Sequence, residues 1–181
     1  MATPNPNQIL RAPGRLVINP TDLGAAFPYG GTALGIVKAI AIRPGAKYQR
    51  ITAEEYGGEV VEMVGNGEAW TLAAILRDFD HDAVAKLFGT VSAGNVVTYP
   101  GSVRAGRLMS DLAVKLLFAP NNPAVAPACL FYRALPLLED AAAMSMSRAA
   151  EFGVSMVFVA LRNGSDPAKA VAMGPLGSLS L

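Results

Sequence analysis

The chain has 181 residues, of which 52% are hydrophobic and only 16% charged, so it is long and apolar enough to bury one domain-sized core and is not an intrinsically disordered chain. Lys and Arg number 15 against 14 Asp and Glu, a formal net charge of +1 that excludes both a strongly basic nucleic-acid-gripping surface and an acidic tail. With 18 glycines and 13 prolines, together about 17% against a usual ~12%, the composition favours many turns and short strands over long helices.

Residues 1–13 hold Pro4, Pro6 and Pro13 with Asn5 and Asn7 and no periodic apolar face, which predicts an extended arm. The segment shows neither the apolar core of a secretory signal nor, anywhere later, about 18 uninterrupted apolar residues, so a soluble, cytoplasmically made protein is expected. From Gly14 to Asn19 a short strand is predicted on Leu16, Val17 and Ile18, closed by Pro20. The stretch PYGGTALG, Pro28 to Gly35, reads as a loop whose backbone visits positive φ.

Ile36 to Arg43 is rich in β-branched and aliphatic residues and stops at Pro44-Gly45, with a second run near Tyr48 to Thr52, the pattern of a hairpin turning at Pro-Gly. A second hairpin is predicted with its turn at Gly65-Asn66-Gly67, joining Glu59–Val64 to Glu68–Arg77. In its second strand Trp70, Leu72, Ala74 and Leu76 fall on one side and Thr71, Ala73, Ile75 and Arg77 on the other. One short helix is predicted near 80–88, with Val84, Leu87 and Phe88 at helical spacing, Asp80 or Asp82 as cap and Gly89 as stop. Val96–Tyr99, Leu112–Phe118, Ala128–Leu135 and Val154–Leu161 read as strands, while Leu138–Phe152 mixes alanine-rich helical propensity with Met-Ser alternation and stays open. Residues 163–181 form a second arm or a closing segment. The domain reading is thus a single domain over 1–181, with a β core over 14–162 between two terminal segments.

Residues that could carry chemistry are sparse. His81 is the only histidine, and no serine lies in a Gly-x-Ser-x-Gly setting, which argues against a catalytic triad. Asp78, Asp80 and Asp82 have the spacing that opens a calcium loop, but Ala83 and Gly89 stand where that loop needs glycine and a bidentate carboxylate. Gly30-Gly31-Thr32 lacks a phosphate-binding lysine, and Cys129, the single cysteine, lies in an apolar run as a small buried hydrophobe rather than a disulfide or zinc ligand. No catalytic residue, cofactor or metal site is expected. Glu54, Glu55, Glu59, Glu62 and Glu68 crowd within fifteen residues, either as a solvated strand face or as an acidic face that repels a polyanion once many copies sum their charge.

The PYGGTALG loop, the EEYGGEVVEMVGNGEAWTLAAIL hairpin region and the DFDHDAVAKLFG helix, in that order after a proline-rich arm, resemble the bacteriophage tail tube family over roughly residues 14–162. The resemblance implies a mainly β fold, an antiparallel barrel or sandwich with one short central helix and extended terminal arms. It implies a structural virion subunit and not an enzyme: six copies form a ring, rings stack into a hollow tube, and the lumen conducts DNA without sequence-specific binding. Partners implied are other copies of the chain, tail tip or baseplate, tape measure, terminator and sheath proteins, with no membrane. The implied location is the virion tail, after assembly in the host cytoplasm.

Carried onto this chain, the resemblance makes Glu59, Glu62 and Glu68 candidates for an acidic lumen. Glu59 and Glu62 cannot both face it from a regular strand. Pro4, Pro6, Ile9, Leu10 and Pro13 become candidates for an arm that clasps a neighbour, and Tyr29, Gly30 and Gly31 for a contact between rings. The stretches Val91–Pro127 and Leu138–Phe152 exceed a minimal tube subunit. A mean hydropathy of +0.35 with few charges independently favours self-association. Two alternatives compete: another virion structural protein, such as a head-tail connector or capsid decoration, and a small soluble β-barrel enzyme or ligand binder using Trp70, Tyr48 and Arg50 at a pocket mouth.

Overall fold

The computed structural model describes residues 14–52, 60–80, 82–83, 87, 91–93, 96–98, 108–124, 126–137, 145–147, 150–163, 166 and 169–181. Among the described residues the strands are β1 (Gly14–Ile18), β2 (Thr32–Thr52), β3 (Val60–Phe79), β4 (Val91–Ala93), β5 (Val96–Thr98), β6 (Val114–Pro120), β7 (Ala128–Leu137), β8 (Ser145–Ser147), β9 (Ala150–Ala160) and β10 (Val171–Gly174). Eight of them lie in one antiparallel sheet ordered β10-β7-β6-β1-β2-β3-β9-β8, and an additional β7–β9 pairing closes β7, β6, β1, β2, β3 and β9 into a six-stranded barrel. Closure rests on Ala134 to Leu137 opposite Ala160 to Val157. The first half of β7 pairs instead with β10, through Val171↔Phe131 to Gly174↔Ala128. Strands β4 and β5 form a separate small pair. The mainly β, barrel-type fold implied by the sequence is what the chain adopts.

Alternation explains the barrel interior. Leu16 and Ile18 of β1, Leu72, Ala74 and Leu76 of β3, Leu116 and Phe118 of β6, Cys129 and Phe131 of β7, and Val154, Met156 and Phe158 of β9 form one buried cluster. Residues one position away on β1, β6 and β7, namely Val17, Leu117, Ala119, Ala128 and Leu130, form a second cluster on the outside of the barrel. Leu23 and Tyr29 from the loop after β1 and Leu176 and Leu179 from the C-terminal segment pack against it. Those strands are buried on both faces, which is why their sequences are continuous apolar runs rather than alternating ones.

The predicted helix is represented by Asp82, Ala83 and Leu87, all helical, with Ala83 and Leu87 buried in the main cluster. Asp80 is the cap: its Oδ1 accepts the backbone N–H of Asp82 at 2.8 Å and of Ala83 at 3.1 Å. The C-terminal segment closes rather than extends. It adds β10 to β7, makes a 3-10 turn at Leu176–Ser178, and its Ser180 carbonyl accepts the Tyr132 hydroxyl at 3.0 Å. The N-terminal arm at residues 1–13 lies outside the described residues.

Both predicted hairpin turns are corrected. Pro44-Gly45 and Asn66-Gly67 lie inside strands, because β2 and β3 run for 21 and 20 residues and pair with each other from Gly35↔Phe79 to Thr52↔Val60. The connection between them falls in residues 53–59, outside the described residues. Proline is tolerated at position 44 because β1 leaves β2 after Val37, so this part of β2 is an edge with no second ladder to break. Asn66 and Gly67 make a β-bulge opposite position 47, and Gly67 takes φ +113°, open to glycine alone. Leu138–Phe152, open in sequence, contains β8 and the start of β9. Leu112, predicted in a strand, ends a 3-10 turn over Met109–Leu112.

Candidate assembly surface

Strand β3 pairs with β9 only over Thr71–Leu76, and β2 with β1 only over Thr32–Val37. Beyond Arg43 and Thr71 the two long strands therefore continue as a two-stranded ribbon with no further neighbour in the ladder among the described residues. Trp70, half-buried against the main cluster opposite Pro44, marks where the ribbon leaves the barrel. This is a packing role, so the indole is not the open stacking platform that a ligand binder would present. Beyond it Ala46, Gln49, Arg50, Ile51, Glu62, Met63, Val64, Glu68 and Ala69 are all exposed. Met63 at 50%, Ile51 at 46% and Val64 at 44% are large apolar side chains open to water. Two-stranded ribbons are at best marginally stable alone in water, so such a ribbon gains order by lying on another surface.

The bulge sets which side each residue takes. Opposed residues share a face, and Ile42↔Leu72, Pro44↔Trp70 and Ala46↔Glu68 continue the side that lines the barrel interior. Past the bulge the pairs are Arg50↔Met63 and Ile51↔Glu62. Because β2 keeps its alternation while β3 inserts a residue, Arg50 and Met63 stay on the interior side. Ile51, Glu62 and Val64 join the outer side with Ala39, Ala73 and Ile75. Glu62 and Glu68 thus lie on opposite sides of the ribbon, and the structure does not gather them into one acidic face. Glu59 lies outside the described residues, as do Glu54 and Glu55, and Glu62 Oε1 accepts the Met63 N–H at 3.2 Å.

The outside of the barrel is itself divided. Over β1, β6 and β7 it is covered by the loop and the C-terminal segment. Over β2, β3 and β9 it presents Ala39, Ala41, Thr71, Ala73, Ile75, Val157 and Val159, half-buried or exposed, in one surface continuous with the outer side of the ribbon. A surface of small and β-branched residues is flat and lets another backbone approach closely.

The candidate ring-contact loop is held down on the covered half. Tyr29 packs on the second cluster and takes φ +60°, and its carbonyl accepts the N–H groups of Thr21 and Asp22, both at 3.0 Å. A Cβ on Gly31 would stand 2.5 Å from the Ile18 carbonyl oxygen and 2.9 Å from Val17 Cγ1, so the backbone can approach only because residue 31 is glycine. Gly30 likewise sits against Thr21. Phe27 is bracketed by Tyr29, edge to face at 5.9 Å, and by the Arg15 guanidinium 4.6 Å from its ring centroid. Roles for Tyr29, Gly30 and Gly31 within the subunit are thus explicit.

Among the described residues there is no cluster of three or more His, Cys, Asp or Glu side chains able to hold a metal ion, and no helix is long and apolar enough to cross a membrane. His81 lies outside the described residues. Cys129 is buried in the main cluster, and burial pushes its thiol from the usual 9.0 up to about 12. The unfolded thiol ionises near 9.0 while the folded one stays neutral, so the unfolded chain releases a proton that the folded chain keeps. Stability from this group is complete below pH 9 and falls as pH rises from about 9 towards 12, by up to about 1.4 kcal/mol per pH unit. Urea unfolding of wild type and Cys129→Ala at about pH 8 and about pH 10.5 is expected to show a steeper loss in the wild type; equal losses would contradict the assignment.

No protein-family model and no curated protein match the chain. Solved structures do. The chain is similar to the tail of an empty gene transfer agent particle, computed with helical refinement in C6 symmetry, at 11% identity and a TM-score of 0.45, over 94% of this chain and 98% of that one. It is similar to a chain of the native gene transfer agent virion at 14% identity and TM-score 0.43, over 94% and 98% respectively. It also resembles the cap that terminates the anti-feeding prophage tube, at 9% identity and TM-score 0.42, over 97% and 95%. These scores lie below 0.5, and the functional reading rests on the barrel and its ribbon instead.

Proposed function

We propose that the chain is a structural subunit of a phage-type tail, assembling into six-membered rings that stack into a tube through which DNA passes. The observation that carries this reading is the ribbon: long strands project from a closed barrel with apolar side chains open on both sides, next to a barrel face left bare. A monomeric enzyme gains nothing from that arrangement, whereas a subunit that must order itself against its neighbours does. The order of elements in the sequence, from proline-rich arm through glycine loop and long hairpin to a central helix, points the same way. On this reading the chain acts by assembly and not catalysis, residues 1–13 clasp a neighbouring copy, and contacts to tip, terminator and sheath proteins are made by the assembled tube. A near-neutral chain suits a conduit that does not grip DNA.

Negative-stain electron microscopy of the purified protein, with size-exclusion chromatography for its assembly state, tests this. Hollow tubes or stacked six-fold rings are expected. A monodisperse monomer at every concentration, with or without tail-tip components to nucleate it, would refute the proposal.

A further inference from the structure

The distal outer side of the ribbon carries large β-branched side chains, Ile51 at 46% and Val64 at 44% exposure, and the acid Glu62. The proximal part of the same side, over the barrel, carries Ala39, Ala41 and Ala73 beside Val157, with Ile75 exposed opposite Ala39, and the exposed base Arg43. We propose that the distal half of this side docks on the proximal half of a second copy of this chain, head to tail. The inference rests on the reading of the chain as a self-assembling subunit and names the surface it uses.

Shape and charge both select a second copy as the occupant. Protruding Ile51 and Val64 fit the low floor made by the opposed pair Ala41 and Ala73 beside the raised Ile75, and a large side chain on an alanine floor allows close approach without a cavity. Glu62 lies opposite Ile51, eight positions along β2 from Arg43, which is about 26 Å at ~3.3 Å per residue. The two charges therefore cannot meet within one chain and are complementary between chains. A distal-on-proximal contact is heterologous: each copy gives one half and receives on the other, which closes into a ring or continues as a filament. The bulge at Asn66-Gly67 is what makes the surface continuous, since an unbroken alternation of β3 would turn Val64 and Glu62 to the other side.

The native thiol, Cys129, is buried, so introduced cysteines report without background. Chains carrying Val64→Cys and chains carrying Ala73→Cys are mixed, assembled and mildly oxidised. Disulfide-linked dimers are expected from the mixture and not from either variant alone. Val64→Cys chains linking to one another would mean a two-fold contact and would overturn the proposal. A lack of mixed cross-links while the wild type forms rings or tubes would overturn it and leave the assembly reading standing, whereas a wild type that never assembles would overturn both. As a second measurement, Val64→Glu is expected to abolish assembly with the urea midpoint of the monomer unchanged; a Val64→Glu chain that still forms rings or tubes would sink the proposal.

Discussion

Phe158→Ala is expected to lower the unfolding free energy by about 3–5 kcal/mol, a large part of the 5–15 kcal/mol that holds a domain of this kind together. The side chain is fully buried in the main cluster and sits where the barrel closes, opposite Leu72 of β3 on one edge of β9 and Pro136 of β7 on the other. Its loss leaves a cavity bordered by two ladders, and neither can collapse inward without breaking pairing with the other. Val157, one residue away, points outward and is only half-buried, so Val157→Ala is expected to cost less than about 1 kcal/mol. Urea unfolding of the two variants checks the closure directly. Similar losses at 157 and 158 would mean that β9 does not seal the barrel through this register.

What could be read in advance follows from where each strand is buried. The strands buried on both faces, β1, β6 and β7, announced themselves as unbroken apolar runs, and the alternation from Trp70 to Arg77 assigned the sides of β3 correctly within the barrel. The ribbon was misread for a definite physical reason. Pro44-Gly45 and Asn66-Gly67 are strong turn signals only where the chain is free to turn, and each is also compatible with an edge strand or a bulge. Pairing β2 with β3 over their whole length decides between those outcomes, and a pairing that spans some twenty residues leaves no local mark. The same bulge hid the composition of the ribbon's outer side, because Ile51 and Val64 join it only after the extra residue is counted. A carboxylate cap at Asp80 or Asp82, of which the structure uses Asp80, and Cys129 as a buried thiol were legible because both depend on near neighbours in sequence.

Removing residues 171–181 is expected to make the chain aggregate. Four paired positions on β7, from Ala128 to Phe131, lose their partner strand, and each ladder hydrogen bond contributes about 0.5–1.5 kcal/mol. Leu176 and Leu179 leave the second cluster, uncovering Val17, Leu117, Ala128 and Leu130, at a cost of about 1 kcal/mol for each half-buried leucine. The exposed edge then reads Ala128-Cys129-Leu130-Phe131, an apolar strand with free N–H and C=O groups and no charge to deter pairing with another chain. Light scattering and binding of a hydrophobic dye measure the outcome. Tyr132→Phe is the graded control: it removes only the hydrogen bond to Ser180 and is expected to cost about 1 kcal/mol without aggregation. A truncated chain that stays soluble with an unchanged urea midpoint would contradict the role given to this segment. By covering β1, β6 and β7 the segment leaves β2, β3 and β9 as the more exposed side of the barrel, so the association proposed above through the ribbon depends on the other side having been made unavailable first.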